Sequence, residues 1–369
     1  MEVLDLSLRD PFRIARHMPD RLATTVLLDV TAEGLSGVGE AFPVAYYGET
    51  AGTVRSVVPL LAAALESLGV PPGTIGEART WLIRAAEVMD RAIGNNGAAK
   101  CGMDIALHDA VARSMDLPLH ELLGTPTAVR PTDFSIGIDE PAVVAERASR
   151  MAHFPALKIK VGGPADLETL EAVRAVYGGP LRVDANTGWH PEAGLRLLPE
   201  LERLGVELIE QPFRARAIAE MRWLQERSAL PIVADESAVT IDDLPALVGA
   251  VAGVNVKLGK CGGVGPALRM IERARELGFK VFLGCMEETS LGIAAAAVLA
   301  GLVDWVDLDG NLLLADDPFV GLELDAQCRW RLPAAAGVGV RRVAHRHEGL
   351  FAAVDKSVDE MVDGTGSAG

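Results

Sequence analysis

The hydrophobic positions of this chain change their spacing at about Pro131. Before it, stretches rich in β-branched residues come first, and from about residue 51 apolar residues recur at helical spacing. This order predicts a meander of strands followed by helices, which is typical of an α+β unit. After it, short apolar runs alternate with amphipathic segments. The runs occupy residues 134–138, 156–161, 181–185, 206–212, 231–237, 253–259, 280–285 and 305–310.

Eight short runs with a helix candidate after most of them predict an α/β fold, a TIM-type (β/α) barrel with a parallel sheet. We expect an α+β capping domain at residues 1–128 and the barrel with the active site at residues 129–317. Residues 318–369 are expected to pack back on the capping domain and complete it, and the terminal GTGSAG is expected to be disordered.

Composition narrows the classes of partner. The formal net charge is −16, which argues against nucleic acid and against an anionic membrane surface, since both need clustered Lys and Arg. No run reaches the roughly 18 uninterrupted apolar residues of a membrane span, and the N-terminus lacks the pattern of a signal peptide. We therefore expect a cytoplasmic protein. Its four cysteines form no CxxC pair and are expected to be reduced, mostly buried thiols.

Carboxylates end three consecutive apolar runs. Asp184 ends the third run, Glu210 the fourth and Asp235 the fifth, so each is one β/α repeat from the next. In a barrel the C-terminal strand ends meet at one rim, and three adjacent carboxylates repel each other unless a cation neutralises them. Helix capping or pairing with a surface Arg explains one such residue, but three in register favour a metal site. Oxygen ligands favour Mg²⁺, with Mn²⁺ second.

Two apolar runs carry lysines. Lys158 and Lys160 are two residues apart and therefore point to the same side of a strand. Buried lysine is rare without a partner, so an inward pair indicates function. Lys257 lies on the sixth run, opposite the second run across the barrel axis, so Lys160 and Lys257 are predicted to flank a substrate. Lys158 is expected to be an auxiliary that adjusts the pKa of Lys160, and Lys260 has a weaker claim.

This arrangement predicts a chemistry. A proton next to a carboxylate is a very weak acid, because its removal creates an enediolate. A divalent cation stabilises that negative charge as it develops. One lysine removes the proton and the other donates one on the opposite face, so the expected result is inversion at carbon.

These motifs together resemble the enolase superfamily, in its muconate-lactonising-like subgroup. The resemblance spans nearly the whole chain and is carried by KIK (158–160), DAN (184–186), EQP (210–212), DES (235–237) and VNVKLGKCGG (254–263). The segment DLDG (307–310) resembles the dipeptide epimerases. That resemblance implies that Asp307 and Asp309 hold the α-ammonium of a dipeptide and that a metal holds the carboxylate of its second residue. FSIGI adds Ser135 as a substrate-binding candidate.

The side-chain preference is left open by two departures from the L-Ala-L-Glu enzymes. The position of Glu287 usually looks apolar in them, and a carboxylate there disfavours an acidic side chain. The loop that often supplies an Arg for the substrate reads RIARHMPDR, so Arg16, His17 or Arg21 are candidates. We therefore expect a dipeptide epimerase whose substrate is L-Ala-L/D-Glu or a related dipeptide. A homo-oligomer is also expected to be possible, because barrels of this group often assemble.

Two alternatives stay open. Within the superfamily, an N-acylamino acid racemase, an o-succinylbenzoate synthase or a cycloisomerase shares the lysines and the metal ligands but needs no ammonium site. Outside it, the chain is a metal-stabilised barrel that only binds. The glycine-rich GGVG (262–265) matches no phosphate-binding motif, and Cys285 is expected to be a packed thiol rather than a nucleophile.

Overall fold

The computed structural model describes residues 1–16, 20–32, 34–71 and 73–348 of the chain. His17 and the terminal GTGSAG therefore lie outside the described residues. The predicted fold class is confirmed, because a strand-and-helix cap precedes a parallel barrel. The limits predicted for the three segments stay predictions.

The cap consists of an antiparallel sheet and the helices that follow it. Its strands are β1 (Glu2–Phe12), β2 (Asp20–Ala32) and β3 (Leu35–Ala41), in the order β1-β2-β3. Its helices are α1 (Ala51–Leu65), α2 (Ile75–Ala92), α3 (Gly97–Ser114) and α4 (Leu119–Leu123). Threonines cap the first two helices, since Thr50 accepts a hydrogen bond from Thr53 N and Thr74 from Glu77 N.

Helix α3 packs so closely on strand β3 that the two backbones are in contact. A Cβ atom on Gly39 would lie 1.9 Å from the carbonyl oxygen of Gly102, and one on Gly37 would lie 2.1 Å from that of Ala106. Only glycine permits this approach. The other side of α3 meets the barrel, which explains why this helix is buried almost all round and lacks one apolar stripe.

The barrel strands all run parallel, in the sheet order β11-β10-β9-β8-β7-β6-β5-β4. Asp133 N donates to Val306 O at 3.0 Å, which brings the first and last strands together and nearly closes the barrel. The strands are β4 (Phe134–Ile136), β5 (Leu157–Lys160), β6 (Leu181–Asp184), β7 (Val206–Glu210), β8 (Ile232–Ala234), β9 (Gly253–Lys257), β10 (Lys280–Gly284) and β11 (Trp305–Asp307).

Each of these strands falls inside one of the eight apolar runs, so the predicted strands are confirmed. Helices of different lengths connect and follow them. They are α5 (Pro141–Arg150), α6 (Asp166–Val176), α7 (Pro191–Arg203), α8 (Ile218–Gln225), α9 (Leu244–Leu247), α10 (Leu258–Cys261), α11 (Val264–Glu276), α12 (Ser290–Ala297) and α13 (Gly310–Leu313).

The described part of the C-terminal segment contacts the cap. It forms two antiparallel pairs, β12 (Asp316–Val320) with β15 (Arg341–Glu348) and β13 (Glu323–Leu324) with β14 (Trp330–Arg331). Ala315 N donates to Ser7 O at 2.7 Å, and Leu119 N donates to Gly337 O at 2.8 Å. These bonds join the segment that follows β11 to β1 and to the start of α4, so residues from both sides of the barrel sequence contribute to the cap.

One described helical segment, Ala51–Leu68, is long and apolar enough to cross a membrane by length and composition alone. In the fold, one side of α1 is buried in the cap core through Val54, Val57, Val58 and Leu61. The absence of a membrane partner therefore stays a prediction.

Candidate active site

The carboxyl ends of the barrel strands bring the predicted residues to one rim. Strand register pairs Lys160 with Asp184, and Asp184 with Glu210, on three neighbouring strands. Asp235 directly follows β8, and Lys257 is the last residue of β9. Parallel strands of similar length end at the same level, so one repeat of sequence places each side chain one strand further around the barrel.

A cavity of about 370 Å³ lies between this rim and the cap. The cap contributes apolar walls, among them Phe12, Leu22, Phe42 and Val44. The barrel contributes both predicted bases and most of the other candidates. The predicted residues that line the cavity are Arg16, Ser135, Lys158, Lys160, Asp235, Lys257, Glu287, Asp307 and Asp309. Asp184 and Glu210 lie beneath them with no exposed surface.

A larger cavity, of about 580 Å³, lies elsewhere along the junction of cap and barrel. It shares Tyr47 with the first cavity and reaches Lys260, but neither Lys160 nor Lys257 lines it. The larger cavity is therefore not the better candidate for the active site. The smaller cavity is, because both predicted bases and most of the other predicted residues line it.

The lysines and the carboxylates pair with each other in this structure. Lys160 Nζ lies 2.7 Å from Asp184 Oδ2, and Lys257 Nζ lies 3.0 Å from Asp235 Oδ2. Burial lowers the pKa of Lys257, but Asp235 and Glu210 outweigh it and hold that pKa above its usual value. Burial raises the pKa of Glu210 to about 7, and neighbouring Asp184 adds to the rise. The rim thus holds carboxylates whose charges are costly without cations.

The three carboxylates fit a hard metal ion. Their exposed fractions are 0% for Asp184, 0% for Glu210 and 2% for Asp235. Oε2 of Glu210 is buried and has no hydrogen-bond partner among the described residues; only the Lys158 ammonium, 3.5 Å away, faces it as an ion-pair partner, so this oxygen can still bind a cation directly. Within the described part of the chain, no three His, Cys, Asp or Glu side chains already surround one point as metal ligands. The ammonium groups of Lys160 and Lys257 instead contact two of these carboxylates.

Lys158 is fixed differently from Lys160. Its ammonium forms a buried ion pair with Asp307 and lies 3.5 Å from Glu210 Oε2. Burial opposes its charge, but Asp307 and Glu210 outweigh burial and hold the pKa of Lys158 well above its usual value. Its charge acts to lower the pKa of Lys257. The predicted adjustment of Lys160 by Lys158 stays a prediction.

Ser135 joins the two aspartates of DLDG. Its backbone N–H donates to Asp309 Oδ2 at 2.5 Å, and its hydroxyl donates to Asp307 Oδ1 at 3.1 Å. Burial and the neighbouring Asp307 raise the pKa of Asp309 to about 7. Lys158 overcomes burial at Asp307 and lowers the pKa of that carboxyl. Asp307 and Asp309 therefore line the cavity together, and Asp307 already pairs with the ammonium of Lys158.

Arg16 comes from the cap and pairs with the barrel. Its guanidinium forms an ion pair with buried Glu236, donates to Asn186 O at 3.1 Å and lies 4.1 Å from the ring centroid of Tyr46. Arg16 Nε and Glu236 Oε2 have no hydrogen-bond partner among the described residues. Arg21, the other described candidate from this loop, is exposed and lies outside the lining of the cavity.

Glu287 lies in the turn after β10 and is half-buried in the cavity wall. The turn is held by Met286 N, which donates to Glu288 Oε2 at 3.2 Å, and by close packing on Gly310. Cys285, just before it, is buried with its Sγ 3.8 Å from Asp309 Oδ1, and burial raises the pKa of its thiol well above the usual value. Cys285 is thus a packed thiol, as predicted.

Two family models cover most of the chain. The mandelate racemase / muconate lactonizing enzyme N-terminal domain matches residues 3–124, and the enolase C-terminal domain-like family matches residues 142–343. The chain belongs to the enolase superfamily. The resemblance drawn from the motifs is confirmed.

Relatives within the superfamily include epimerases with different side-chain preferences. The L-Ala-D/L-Glu epimerase of Bacteroides thetaiotaomicron is 37% identical over 92% of this chain and 86% of its own length. The L-Lys-D/L-Arg epimerase of Methylococcus capsulatus is 33% identical over 92% and 99%. The crystal structure of a dipeptide epimerase from Enterococcus faecalis V583, complexed with Mg and L-Leu-L-Tyr, superposes with a TM-score of 0.84, at 31% identity over 92% and 98%.

Residues that the sequence analysis undervalued or missed complete this superfamily site. Lys260 Nζ lies 2.5 Å from Asp235 Oδ1 and also donates to Asp235 O, Ala238 O and Asn255 O. Asn255 Nδ2 donates to Glu210 Oε1 at 2.5 Å. Arg182, under the site, pairs with Asp133 at 2.8 Å. Arg182 and Asn255 stand two residues before Asp184 and Lys257, so the alternation that identified the lysine pair could have found them.

The glycine-rich turns bind internal carboxylates. Val264 N and Gly265 N, at the start of α11, donate to Asp104 Oδ2 from α3 of the cap at 2.7 and 3.2 Å. Gly162 N and Gly163 N donate to Asp166. These backbone N–H groups are therefore satisfied within the protein. That the turns do not bind phosphate stays a prediction.

Proposed function

We propose that this chain is a dipeptide epimerase, which inverts the α-carbon of the second residue of an L,L-dipeptide by 1,1-proton transfer. The observation that carries the proposal is the position of Lys160 and Lys257. They end β5 and β9, the second and sixth of eight barrel strands, and line the same cavity. The epimerase names of the relatives that match almost the full chain support the proposal.

The three buried rim carboxylates would hold the metal ion, for which we propose Mg²⁺, with Mn²⁺ as the second choice. A divalent ion bound there stabilises the negative charge that develops on the substrate carboxylate when the α-proton leaves. Asn255 and Lys260 orient two of these ligands by bonding Glu210 and Asp235. Ligands fixed in this way keep their geometry when a cation enters.

The two lysines perform the proton transfers. The neutral amine of one lysine takes the α-proton, and the electron pair of the broken C–H bond moves into the carboxylate to give the enediolate. The ammonium of the other lysine then returns a proton to the opposite face of the same carbon. The ammonium of Lys158, which pairs with Asp307, contributes positive charge beside the reacting groups.

The acidic pair provides the site for the substrate ammonium. Ser135 orients Asp307 and Asp309 so that their carboxylates line the cavity together. A cation is favoured there because burial makes two neighbouring carboxylates costly when they are uncompensated. This site distinguishes a dipeptide from an N-acylated amino acid, which has no ammonium.

The test compares a dipeptide with its N-acetylated form. Exchange of the α-proton of the second residue is followed by mass spectrometry in deuterated water with Mg²⁺, for the wild type and for Asp307→Asn. We expect the wild type to prefer the free dipeptide and Asp307→Asn to lose at least about tenfold of that preference. The ratio is unaffected by a general loss of folded protein, which matters because Asp307 also pairs with Lys158.

Two results contradict the proposal. A preference for the N-acetylated compound would favour an N-acylamino acid racemase of the same superfamily. No exchange with any dipeptide or N-acylated amino acid would favour a barrel that only binds. The acidic composition supports the further proposal of no nucleic acid or membrane partner. A cytoplasmic location stays a proposal. A homo-oligomer also remains a proposal.

A further inference from the structure

Among the described residues, five carboxylates line the active-site cavity, and four of them have partners within the protein. Asp235 binds two lysines, Glu236 binds Arg16, Asp307 binds Lys158, and Asp309 accepts the Ser135 N–H. The fifth is Glu287, for which the described part of the chain provides no ion pair and no side-chain hydrogen bond. An uncompensated carboxylate in a half-buried wall is costly and attracts a cation.

The position of Glu287 relates it to one end of the substrate. Cys285 Sγ lies 3.8 Å from Asp309 Oδ1, and a Cβ on Gly310 would lie 2.1 Å from Met286 O. The turn that carries Glu287 is therefore in van der Waals contact with the segment that carries the acidic pair. Since that pair is proposed to hold the α-ammonium, Glu287 lies beside the first residue of the dipeptide.

Among the described residues that line the cavity, each positively charged side chain already has an acidic partner. Arg16, the described candidate for binding an acidic side chain, is paired with Glu236 and stacked on Tyr46. An acidic dipeptide side chain would have to separate this pair, in which the Glu236 side chain is 1% exposed. Separating such a pair is unfavourable, because it leaves the buried Glu236 carboxylate without its cation. The charges of the cavity thus disfavour an acidic side chain and favour a basic one.

We propose that Glu287 is a specificity residue that binds a cationic side chain on the first residue of the dipeptide. The inference rests on the proposed epimerase function and adds the class of substrate. It also gives a role to a carboxylate that lines the same cavity as apolar cap residues such as Leu22 and Phe42. The substrate supplies the missing cation, and neither charge is then buried alone.

The experiment measures kcat/KM for α-deuterium exchange at the second residue with four dipeptides: L-Lys-L-Ala, L-Glu-L-Ala, L-Ala-L-Ala and L-Ala-L-Lys. We expect L-Lys-L-Ala to exceed L-Ala-L-Ala by at least about tenfold and L-Glu-L-Ala to be the poorest. Glu287→Gln should remove the preference for L-Lys-L-Ala, and Glu287→Lys should reverse it in favour of L-Glu-L-Ala. Glu226→Gln, at an exposed glutamate on the barrel surface, should leave the ratios unchanged.

The possible results distinguish the proposed role of Glu287 from the proposed epimerase function. Equal exchange of L-Lys-L-Ala and L-Ala-L-Ala, or a preference found only with L-Ala-L-Lys, overturns the role of Glu287 and leaves the epimerase function standing. Absence of exchange with all four dipeptides overturns both. Because Glu287→Lys predicts a reversal rather than a loss, a variant that is merely unstable cannot imitate the expected result.

Discussion

The ammonium group of Lys260 lies 2.5 Å from Oδ1 of Asp235, and both side chains are buried. Three backbone oxygens, of Asp235, Ala238 and Asn255, complete the shell around Lys260 Nζ at 2.7 to 3.0 Å. Because all of these oxygens accept hydrogen bonds from Lys260 Nζ, this ammonium group is held in the barrel wall and is not directed at a substrate. It fixes Asp235 and leaves the other carboxylate oxygen, Oδ2, directed at Lys257.

Replacing Lys260 should therefore weaken metal binding. In Lys260→Met, Asp235 loses a charge-assisted hydrogen bond, and three buried carbonyl groups each lose one donor. We expect Mn²⁺ affinity to fall by about 10- to 100-fold, the usual effect of removing a residue that orients a ligand. A Mn²⁺ titration by electron paramagnetic resonance without substrate measures it. Lys280→Met, at a lysine whose side chain is 60% exposed, is the control. Equal Mn²⁺ affinity in both variants would remove this role from Lys260.

Glu288 should make the stability of the protein depend on pH. This side chain is 3% exposed. Burial, with Glu40 nearby, raises the pKa of Glu288 from 4.5 to about 8. The folded protein therefore retains a proton that the unfolded chain releases, so the free energy of unfolding falls as the pH rises from about 4.5 to about 8. At about 1.4 kcal/mol per pKa unit, the effect is a few kcal/mol.

Glu288→Gln isolates this contribution, because glutamine resembles the protonated acid. Urea denaturation at pH 5 and pH 9, with Glu226→Gln as the matched loss of an exposed carboxylate, measures it. We expect the difference in unfolding free energy between the two pH values to shrink by about 1 kcal/mol or more in Glu288→Gln only. A difference unchanged from the wild type would show that Glu288 ionises in the folded protein at its ordinary pKa.

The contact between β3 and α3 should tolerate no side chain. A Cβ on Gly39 would overlap the carbonyl oxygen of Gly102, and backbone atoms on both sides cannot yield cheaply. We expect Gly39→Ala to lower the free energy of unfolding by about 3 kcal/mol, the upper part of the usual range for overpacking. Gly73→Ala, where nothing lies within 4 Å of the added Cβ, is the control. Equal urea midpoints in the two variants would contradict the close packing of cap sheet and helix.

The barrel and its rim could be predicted because they follow from periodicity. Apolar runs define eight strands, and a charged residue at a strand end must face the rim, so Asp184, Glu210 and Lys160 were placed from spacing alone. Strand register confirms that these three residues are neighbours. The same alternation also places Arg182 and Asn255 on the inner face of the barrel, two residues before Asp184 and Lys257.

Other parts of the site could not be predicted, because they depend on contacts between segments distant in sequence. The pairing of Arg16 with Glu236 joins residues 220 positions apart, and that of Lys158 with Asp307 joins residues 149 apart. Lys260 was undervalued because its position in a glycine-rich turn suggested a loop, whereas the turn of α10 carries its side chain into the barrel wall. No local pattern encodes these partners, since each depends on the closure of the barrel and the docking of the cap.

The two-base mechanism is tested most directly by α-deuterium exchange in the lysine variants. L,L- and L,D-dipeptides are incubated in deuterated water with saturating Mg²⁺ and with the wild type, Lys160→Ala, Lys257→Ala or the surface control Lys280→Ala. We predict that the wild type and Lys280→Ala interconvert the epimers with uptake of deuterium, and that Lys160→Ala and Lys257→Ala each lose epimerisation by at least about 10²-fold. Undiminished exchange and epimerisation in both Lys160→Ala and Lys257→Ala would contradict the mechanism.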